Sequence, residues 1–169
     1  MSGFTVELLR DGHNREAFDC GNLALNAYLR TQARQDMERG VAVVYVLVSD
    51  SARDHVAGFY SLSSTAVKLA DWPEDVRRKL PRYPIVPATL AGRLAVSVSH
   101  RGHGLGERVL VDALARSLAA SKLVASHAVI VDAKDLDAVA FYERYGFIPF
   151  PGQPQRLFLP MKTIARLKP

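Results

Sequence analysis

The stretch Arg101-Gly102-His103-Gly104-Leu105-Gly106 decides how this chain is read. It follows an apolar run, Leu94-Ala95-Val96, and precedes a segment of helical periodicity that starts near Glu107. Three glycines in five residues let the backbone approach a ligand closely and adopt turns closed to residues with a Cβ. A strand, a glycine-rich turn and a helix N-terminus together make an anion site. Unpaired amide N–H groups point outward there, and the helix dipole favours negative charge. Arg101 adds a guanidinium suited to phosphate. The piece reads as the cradle of a phosphorylated cofactor. Two other phosphate loops fail on spacing. The dinucleotide pattern G-x-G-x-x-G needs glycine where Glu107 stands. The P-loop needs Lys-Ser or Lys-Thr after its glycines, and the one Lys-Thr pair, Lys162-Thr163, has no glycine run before it.

A second signal lies further along. Asp135 reads as a helix N-cap. Leu136, Val139 and Ala140 fall at helical spacing and form an apolar face. Gly146 stands where a helix-ending glycine belongs, and Phe147 opens the next strand. The glycine loop and the run Phe141-Tyr142-Glu143-Arg144-Tyr145-Gly146-Phe147 occur in order, with an apolar strand at residues 128–131 between them. This conjunction, R-x-x-G-x-G after a strand and then the aromatic helix and turn, resembles the GNAT superfamily of N-acetyltransferases, which bind acetyl-coenzyme A.

Composition sets bounds. The 169 residues suit a single domain, residues 1–169, with a sizeable core. A hydrophobic content of 49% excludes a disordered chain. The longest apolar run, residues 41–48, is far short of a membrane span, and no signal-peptide pattern opens the sequence. Cys20 is the only cysteine, so an intrachain disulfide and a cysteine-rich zinc site are excluded. Cys20 itself reads as a small buried hydrophobe. His13, His55 and His127 show no metal-ligand spacing, and no metal site is expected. These features fit a cytoplasmic protein. The net charge of +5 is unevenly placed: residues 76–106 carry six basic side chains and no acidic one. An acid-free basic stretch suggests a polyanionic partner. The alternative is a solvated face plus neutralisation of coenzyme A, whose phosphates could occupy Arg101 and one more residue but would not need Arg77, Arg78, Lys79 and Arg82.

Along the chain, residues 4–9 read as a strand, 16–20 as a short helix, and 22–37 as a longer helix. Residues 41–49 and 55–67 read as a strand hairpin. Residues 71–87 hold Trp72 and four prolines around a short helical segment at 74–79. Prolines oppose ladder pairing, so this basic stretch reads as a binding loop. A fourth strand at 89–97 precedes the glycine loop. Leu110, Leu114 and Leu118 mark the buried face of the helix behind it. Strands at 127–131, 147–150 and 155–159 and a helix at 135–144 complete a mixed α/β sheet. That order matches the acetyltransferase fold.

The resemblance implies roles for particular residues. In this superfamily the fourth strand splays from the fifth, and the pantetheine arm pairs with the fourth strand's backbone. Leu94, Ala95 and Val96 would be the pairing segment. Main-chain groups of Arg101, Gly102, His103, Gly104, Leu105 and Gly106 would hold the pyrophosphate, with Lys134 and Phe141 flanking the cofactor. A narrower resemblance rests on Phe18-Asp19-Cys20-Gly21 leading into Leu25-Asn26-Ala27-Tyr28-Leu29, on Gly92-Arg93-Leu94-Ala95-Val96, and on the aromatic helix. These look like the acetyltransferase toxins of bacterial toxin–antitoxin modules. Members acetylate the α-amino group of aminoacyl-tRNA and block translation, and a ribbon-helix-helix antitoxin neutralises them. The resemblance also implies a homodimer. Two positions depart from the group: Ser97 stands where Asp is frequent, and His100-Arg101 where an aromatic-Gln pair is frequent.

The chemistry follows from elementary considerations. An acetyl thioester is already activated, so the amine attacks it directly. Fourth-strand N–H groups near Val96 can hold the oxyanion. The departing thiolate needs a proton, and Tyr142 is a suitable general acid. An α-amino group with a pKa of about 8 is substantially neutral near pH 7, so no strong base is required. Arg77, Arg78, Lys79, Arg82 and Arg93 would contact RNA phosphates. Two alternatives share parts of the pattern: a GNAT enzyme acting on a small amine or protein N-terminus, and a non-catalytic module that regulates DNA with a partner. The intact glycine loop and Tyr142 favour an enzyme.

Overall fold

Hydrophobic alternation and helix caps place most elements where the sequence predicts. The computed structural model describes residues 3–167. Strands β1 (Phe4–Leu8), β2 (Val43–Ser49), β3 (Ala52–Lys68), β4 (Ile85–Val96), β5 (Ala128–Asp132), β6 (Ile148–Phe150) and β7 (Gln153–Pro160) form one sheet in the order β1-β2-β3-β4-β5-β7-β6. β4 and β5 pair in parallel, while β1–β2, β2–β3, β5–β7 and β6–β7 are antiparallel. The helices are α1 (Leu23–Ala27), α2 (Ala33–Glu38), α3 (Glu74–Arg77), α4 (Leu105–Ala120), α5 (Leu136–Glu143) and α6 (Met161–Ile164). The β4–β5 register runs from Thr89↔Val129 to Ala91↔Val131, whereas β4 itself continues to Val96. The chain divides into two compact units. One comprises residues up to 63 together with 93–113, and the other 64–92 with the residues from 114 onward.

In the first unit, strand alternation sends Val44, Val46 and Val48 to one face of the sheet. There they meet Tyr28, Leu29 and Ala33 of the N-terminal helices, together with Phe59 and Ala95. On the opposite face Leu47, Ala57 and Tyr60 pack with Leu105, Val109 and Ala113 of α4, and Leu94 and Val96 join them. Gly58 permits the close approach: a Cβ there would lie 3.0 Å from the Ala95 carbonyl oxygen and 3.3 Å from Val109 Cγ2.

The N-terminal helix starts as predicted, with Asn22 Oδ1 accepting the Leu25 N–H at 3.0 Å. It is not uniform, however. Residues Tyr28–Gln32 form a π-helical turn between α1 and α2, with the Ala33 N–H bonding to the Tyr28 carbonyl. Side chains take up carbonyls within and beside this turn. Thr31 Oγ1 donates to Ala27 O at 2.7 Å, Gln35 Nε2 to Thr31 O at 3.0 Å, and Arg15 Nη1 to Arg30 O at 3.4 Å. Hydroxyl back-bonding of this kind competes with the α-helical ladder.

The second unit is organised around Trp72, which is fully buried. Its ring meets His127, Phe150 and Phe158 edge-on, with centroids 5.3, 5.1 and 5.0 Å away. Truncating such a residue to alanine costs about 3–5 kcal/mol, so the basic loop is anchored rather than loose. α5 ends in a Schellman turn: Gly146, at φ +95°, donates to Glu143 O, and the Phe147 N–H donates to Tyr142 O. Asp135 caps its start, accepting the Ala138 N–H at 2.8 Å.

Several expectations are corrected. Residues 16–20 are not helical; Cys20 N–H bonds to the Asn26 side chain and Gly21 N–H to Asp19, so side chains hold the segment in extended turns. α4 begins at Leu105, two residues earlier than predicted, so Leu105 and Gly106 belong to its first turn. Pro87 lies inside β4, where its carbonyl accepts the His127 N–H at 2.9 Å, a bond that needs no N–H from proline. Leu136 and Ala140 are exposed, Leu136 to 75%, so the apolar stripe of α5 is not a core face. α6 is too short for periodicity to reveal, yet it buries Met161 and Ile164.

Candidate active site

The residues predicted to act divide between the units. The first carries Arg93, Leu94, Ala95, Val96 and the glycine loop; the second carries Arg77, Arg78, Lys79, Arg82, Lys134, Phe141 and Tyr142.

The glycine loop joins two left-handed turns to a helix N-terminus. Gly102 (φ +82°) and Gly104 (φ +71°) occupy left-handed backbone, and a Cβ on either would meet nothing within 4 Å. Glycine is required there by the backbone angle, and open space lies above it. The Arg108 N–H bonds to Gly104 O, which makes Gly104 the residue that opens α4. It has no side chain to cap the first-turn amides, so those of Leu105 and Gly106 face outward at the positive end of a 16-residue helix. Gly106 is helical and needs no special angle. Arg101 is braced: its Nη2 donates to the Cys20 carbonyl at 2.9 Å. Its charge also helps hold Asp19 below the usual carboxylate range, after the larger effects of the Gly21 N–H and the Asn26 amide. The Val98 N–H bonds to Asp19 O at 2.8 Å, so residues 19–21 buttress the loop.

Ser97, at the departure from the toxin pattern, is buried, and its Oγ lies 2.9 Å from Ser99 Oγ, which is 3.0 Å from His100 Nδ1. The His100 ring sits 5.3 Å from His55 and 5.7 Å from Phe4. Burial, and then the neighbouring His55 and His103, push the His100 imidazole down. A serine at position 97 brings no carboxylate, so no general base stands there.

In the second unit Tyr142 is 6% exposed, its ring held by Phe141 and Phe147 with centroids 5.3 Å away. Burial pushes its phenol well above 10, and Asp132 adds to the shift. The group is therefore a protonated donor throughout the neutral range. Its hydroxyl has no protein partner among the described residues, nor is it a fully enclosed polar atom. Phe141 is half-buried against Tyr142 and Tyr145, and Lys134 is exposed in the turn before α5.

The basic residues fare differently from one another. Arg77 Nη1 donates to the Trp72 carbonyl at 2.8 Å, which makes it part of the loop's own structure. Arg78 lies 3.9 Å from Glu74 in an exposed pair. Arg77, Arg78 and Arg82 line a surface cleft of about 340 Å³ with Leu69, Glu74 and Leu80. Arg93 stacks on the Tyr28 ring, its Cζ 3.7 Å from the centroid. This last contact was not legible in the sequence; only the helical spacing of Tyr28 hinted that it faced inward.

A mixed sheet whose parallel β4–β5 pairing stops at Ala91, with a left-handed glycine turn leading into the helix after β4, is the architecture of an acyl-CoA acetyltransferase. Residues 40–149 match the acetyltransferase (GNAT) domain, and the chain belongs to that family. Within it, the chain is 36% identical over 168 residues to the tRNA-acetylating toxin of Mycobacterium tuberculosis, covering 99% of this chain and 98% of that one. The solved structure of AtaT complexed with acetyl-methionyl-tRNAfMet is 32% identical with a TM-score of 0.89, covering 97% and 98% of the two chains. A tyrosine-to-phenylalanine mutant of the AtaT toxin, bound to acetyl-CoA and the C-terminus of the antitoxin AtaR, is 28% identical with a TM-score of 0.83, covering 98% of each.

Proposed function

We propose that this protein is an acetyl-CoA-dependent N-acetyltransferase, residues 1–169 acting as one catalytic domain, and that its acceptor is the α-amino group of aminoacyl-tRNA. The observation that carries the reading is the outward-facing start of α4 behind Gly102 and Gly104, joined to 36% identity over nearly the full length of a tRNA-acetylating toxin. Acetyl-CoA would place its pyrophosphate on the main chain of residues 101–106 and its pantetheine along Leu94, Ala95 and Val96, with Lys134 and Phe141 at its flank. The neutral amine attacks the thioester carbonyl, and a β4 amide near Val96 steadies the oxyanion; as the C–S bond breaks the Tyr142 hydroxyl gives its proton to the departing thiolate, and the proton shed by the acylated nitrogen restores the phenol. The absence of a carboxylate at position 97 suits an α-amine, which needs no strong base, better than a lysine of pKa about 10.4.

Arg78, Lys79 and Arg82 supply phosphate contacts, and Arg93 adds one more. Acetylating aminoacyl-tRNA would block translation in the cytoplasm, and a ribbon-helix-helix antitoxin would neutralise the protein. A homodimer accompanies the reading. Among the described residues, no helix is long and apolar enough to cross a membrane.

The test is acetyl transfer from radiolabelled acetyl-CoA to bulk aminoacylated tRNA, with deacylated tRNA as control. Label on the charged pool alone is the expected result. No label with acetyl-CoA binding intact would move the substrate to a small amine or a protein N-terminus.

A further inference from the structure

Resting on the aminoacyl-tRNA reading, we infer that Arg93 is a preorganised clamp for one particular acceptor anion, the phosphodiester that joins the terminal adenosine, and that Tyr28 is its positioning residue.

Arg93 differs from the other members of the acid-free basic run. Arg77 and Arg101 spend donors on protein carbonyls, and Arg78 faces Glu74. Arg93 is half-buried with its guanidinium 3.7 Å above the Tyr28 ring. Among the described residues it has no ion pair and no hydrogen-bond acceptor, and none of its nitrogens is fully enclosed. A guanidinium held over a ring face spends none of its N–H donors on that ring, and its planar fork matches a phosphate or carboxylate.

The ring beneath it is itself fixed. Tyr28 Oη donates to Asp36 Oδ2 at 2.8 Å, and Asp36 also accepts from Gln32 Nε2 at 2.9 Å. The other aromatic contact of Tyr28 is Phe59, stacked at 6.3 Å. The π turn makes this possible. Eight positions on an uninterrupted α-helix would leave Tyr28 and Asp36 about 80° apart around the axis. The extra residue taken up at Tyr28–Gln32 reduces that to about 20° and brings the phenol onto the carboxylate. The anionic Asp36 complements the cation, and Arg93 contributes to holding Asp36 below the usual carboxylate range, after the Gln32 and Tyr28 hydrogen bonds.

Arg93 stands three residues before Val96, about 10 Å along β4. Alternation places it on the face of Ala95, which shares the Tyr28 core. An anion held there lies roughly that distance along the strand from an amine that attacks at the Val96 main chain. On aminoacyl-tRNA the amino acid's carboxyl is esterified and uncharged, so the nearest anion to the α-amine is the terminal phosphodiester. A free amino acid would offer the same fork a carboxylate.

The experiment compares wild type, Arg93→Lys and Tyr28→Leu on aminoacyl-adenosine, which lacks the phosphodiester, on aminoacyl-CpA, which has it, and on the free amino acid. Acetyl-CoA binding by calorimetry monitors folding. Wild type should prefer aminoacyl-CpA to aminoacyl-adenosine in kcat/KM by on the order of 10- to 100-fold, carried in KM, as expected of a charge-assisted fork. Both variants should collapse that ratio toward one. Equal losses on both acceptors would show a merely structural role and overturn the clamp. So would a ratio that survives in the variants, or an Arg93 dependence confined to the free amino acid. Wild type that acetylates aminoacyl-tRNA with no preference between the fragments overturns the clamp alone. Transfer to no tRNA-derived acceptor overturns the underlying reading as well.

Discussion

Replacing Tyr142 by phenylalanine removes one oxygen from a buried site, and the structure says what that should do. The ring is 6% exposed and sits between Phe141 and Phe147, so the aromatic packing is kept. The hydroxyl has no protein partner among the described residues, so its loss strands no buried donor or acceptor. Stability should therefore change by less than about 0.5 kcal/mol, whereas truncation to alanine would cost about 3–5 kcal/mol and confound the result. Catalysis should respond differently. A positioned general acid contributes about 10²–10⁴-fold, equivalent to about 3–5 kcal/mol of barrier. The prediction for Tyr142→Phe is a fall of that size in kcat, with acetyl-CoA affinity and melting temperature held. Steady-state acetyl transfer, calorimetric titration and thermal melting give the three readouts. The wild-type pH profile adds a fourth. Because burial pushes the phenol well above 10, no alkaline fall from this group should appear below about pH 10. A variant with near wild-type kcat, or one that loses acetyl-CoA binding in proportion to activity, would refute the assignment.

Three further outcomes are expected. Gly104→Val forces a β-branched residue into φ +71°, where its Cβ meets nothing within 4 Å but a backbone penalty of about 1–2 kcal/mol awaits it; acetyl-CoA affinity measured by titration should drop, and unchanged affinity would remove the loop from the cofactor site. Replacing Arg78, Lys79 and Arg82 together by glutamine should lower the slope of log K against log salt for RNA binding by about two while leaving the melt unchanged, since none of them bonds to a loop carbonyl as Arg77 does; an unchanged slope would exclude this face. His100 and His127 both titrate below the ordinary imidazole value, chiefly through burial. The unfolded chain therefore binds more protons as pH falls through about 6.5, and stability present above that value should decline until the native imidazoles also protonate. Denaturant midpoints at pH 7.5 and 5.5 would show the decline, and His100→Asn should reduce it.

Much of the candidate site was legible because its determinants are local. Gly102 and Gly104 announce left-handed backbone, Asp135 and Gly146 announce the limits of α5, and both caps are observed. What escaped has tertiary causes. Residues 16–20 look helical in isolation, but Asn26 and Asp19 side chains hold them as turns. Pro87 argues against a strand until His127 supplies the donor to its carbonyl.

The sequence by itself determined the order of elements, the left-handed glycine turn before α4 and the limits of α5, because each is written in spacing and in residues with unusual backbone properties. Only the tertiary structure decided which cations are free. Arg77, Arg93 and Arg101 look alike in a charge count, yet one braces Trp72, one stacks on Tyr28 and one holds Cys20. A guanidinium's role depends on what lies within a few ångströms of it, and those neighbours come from residues distant in the chain, brought together by packing.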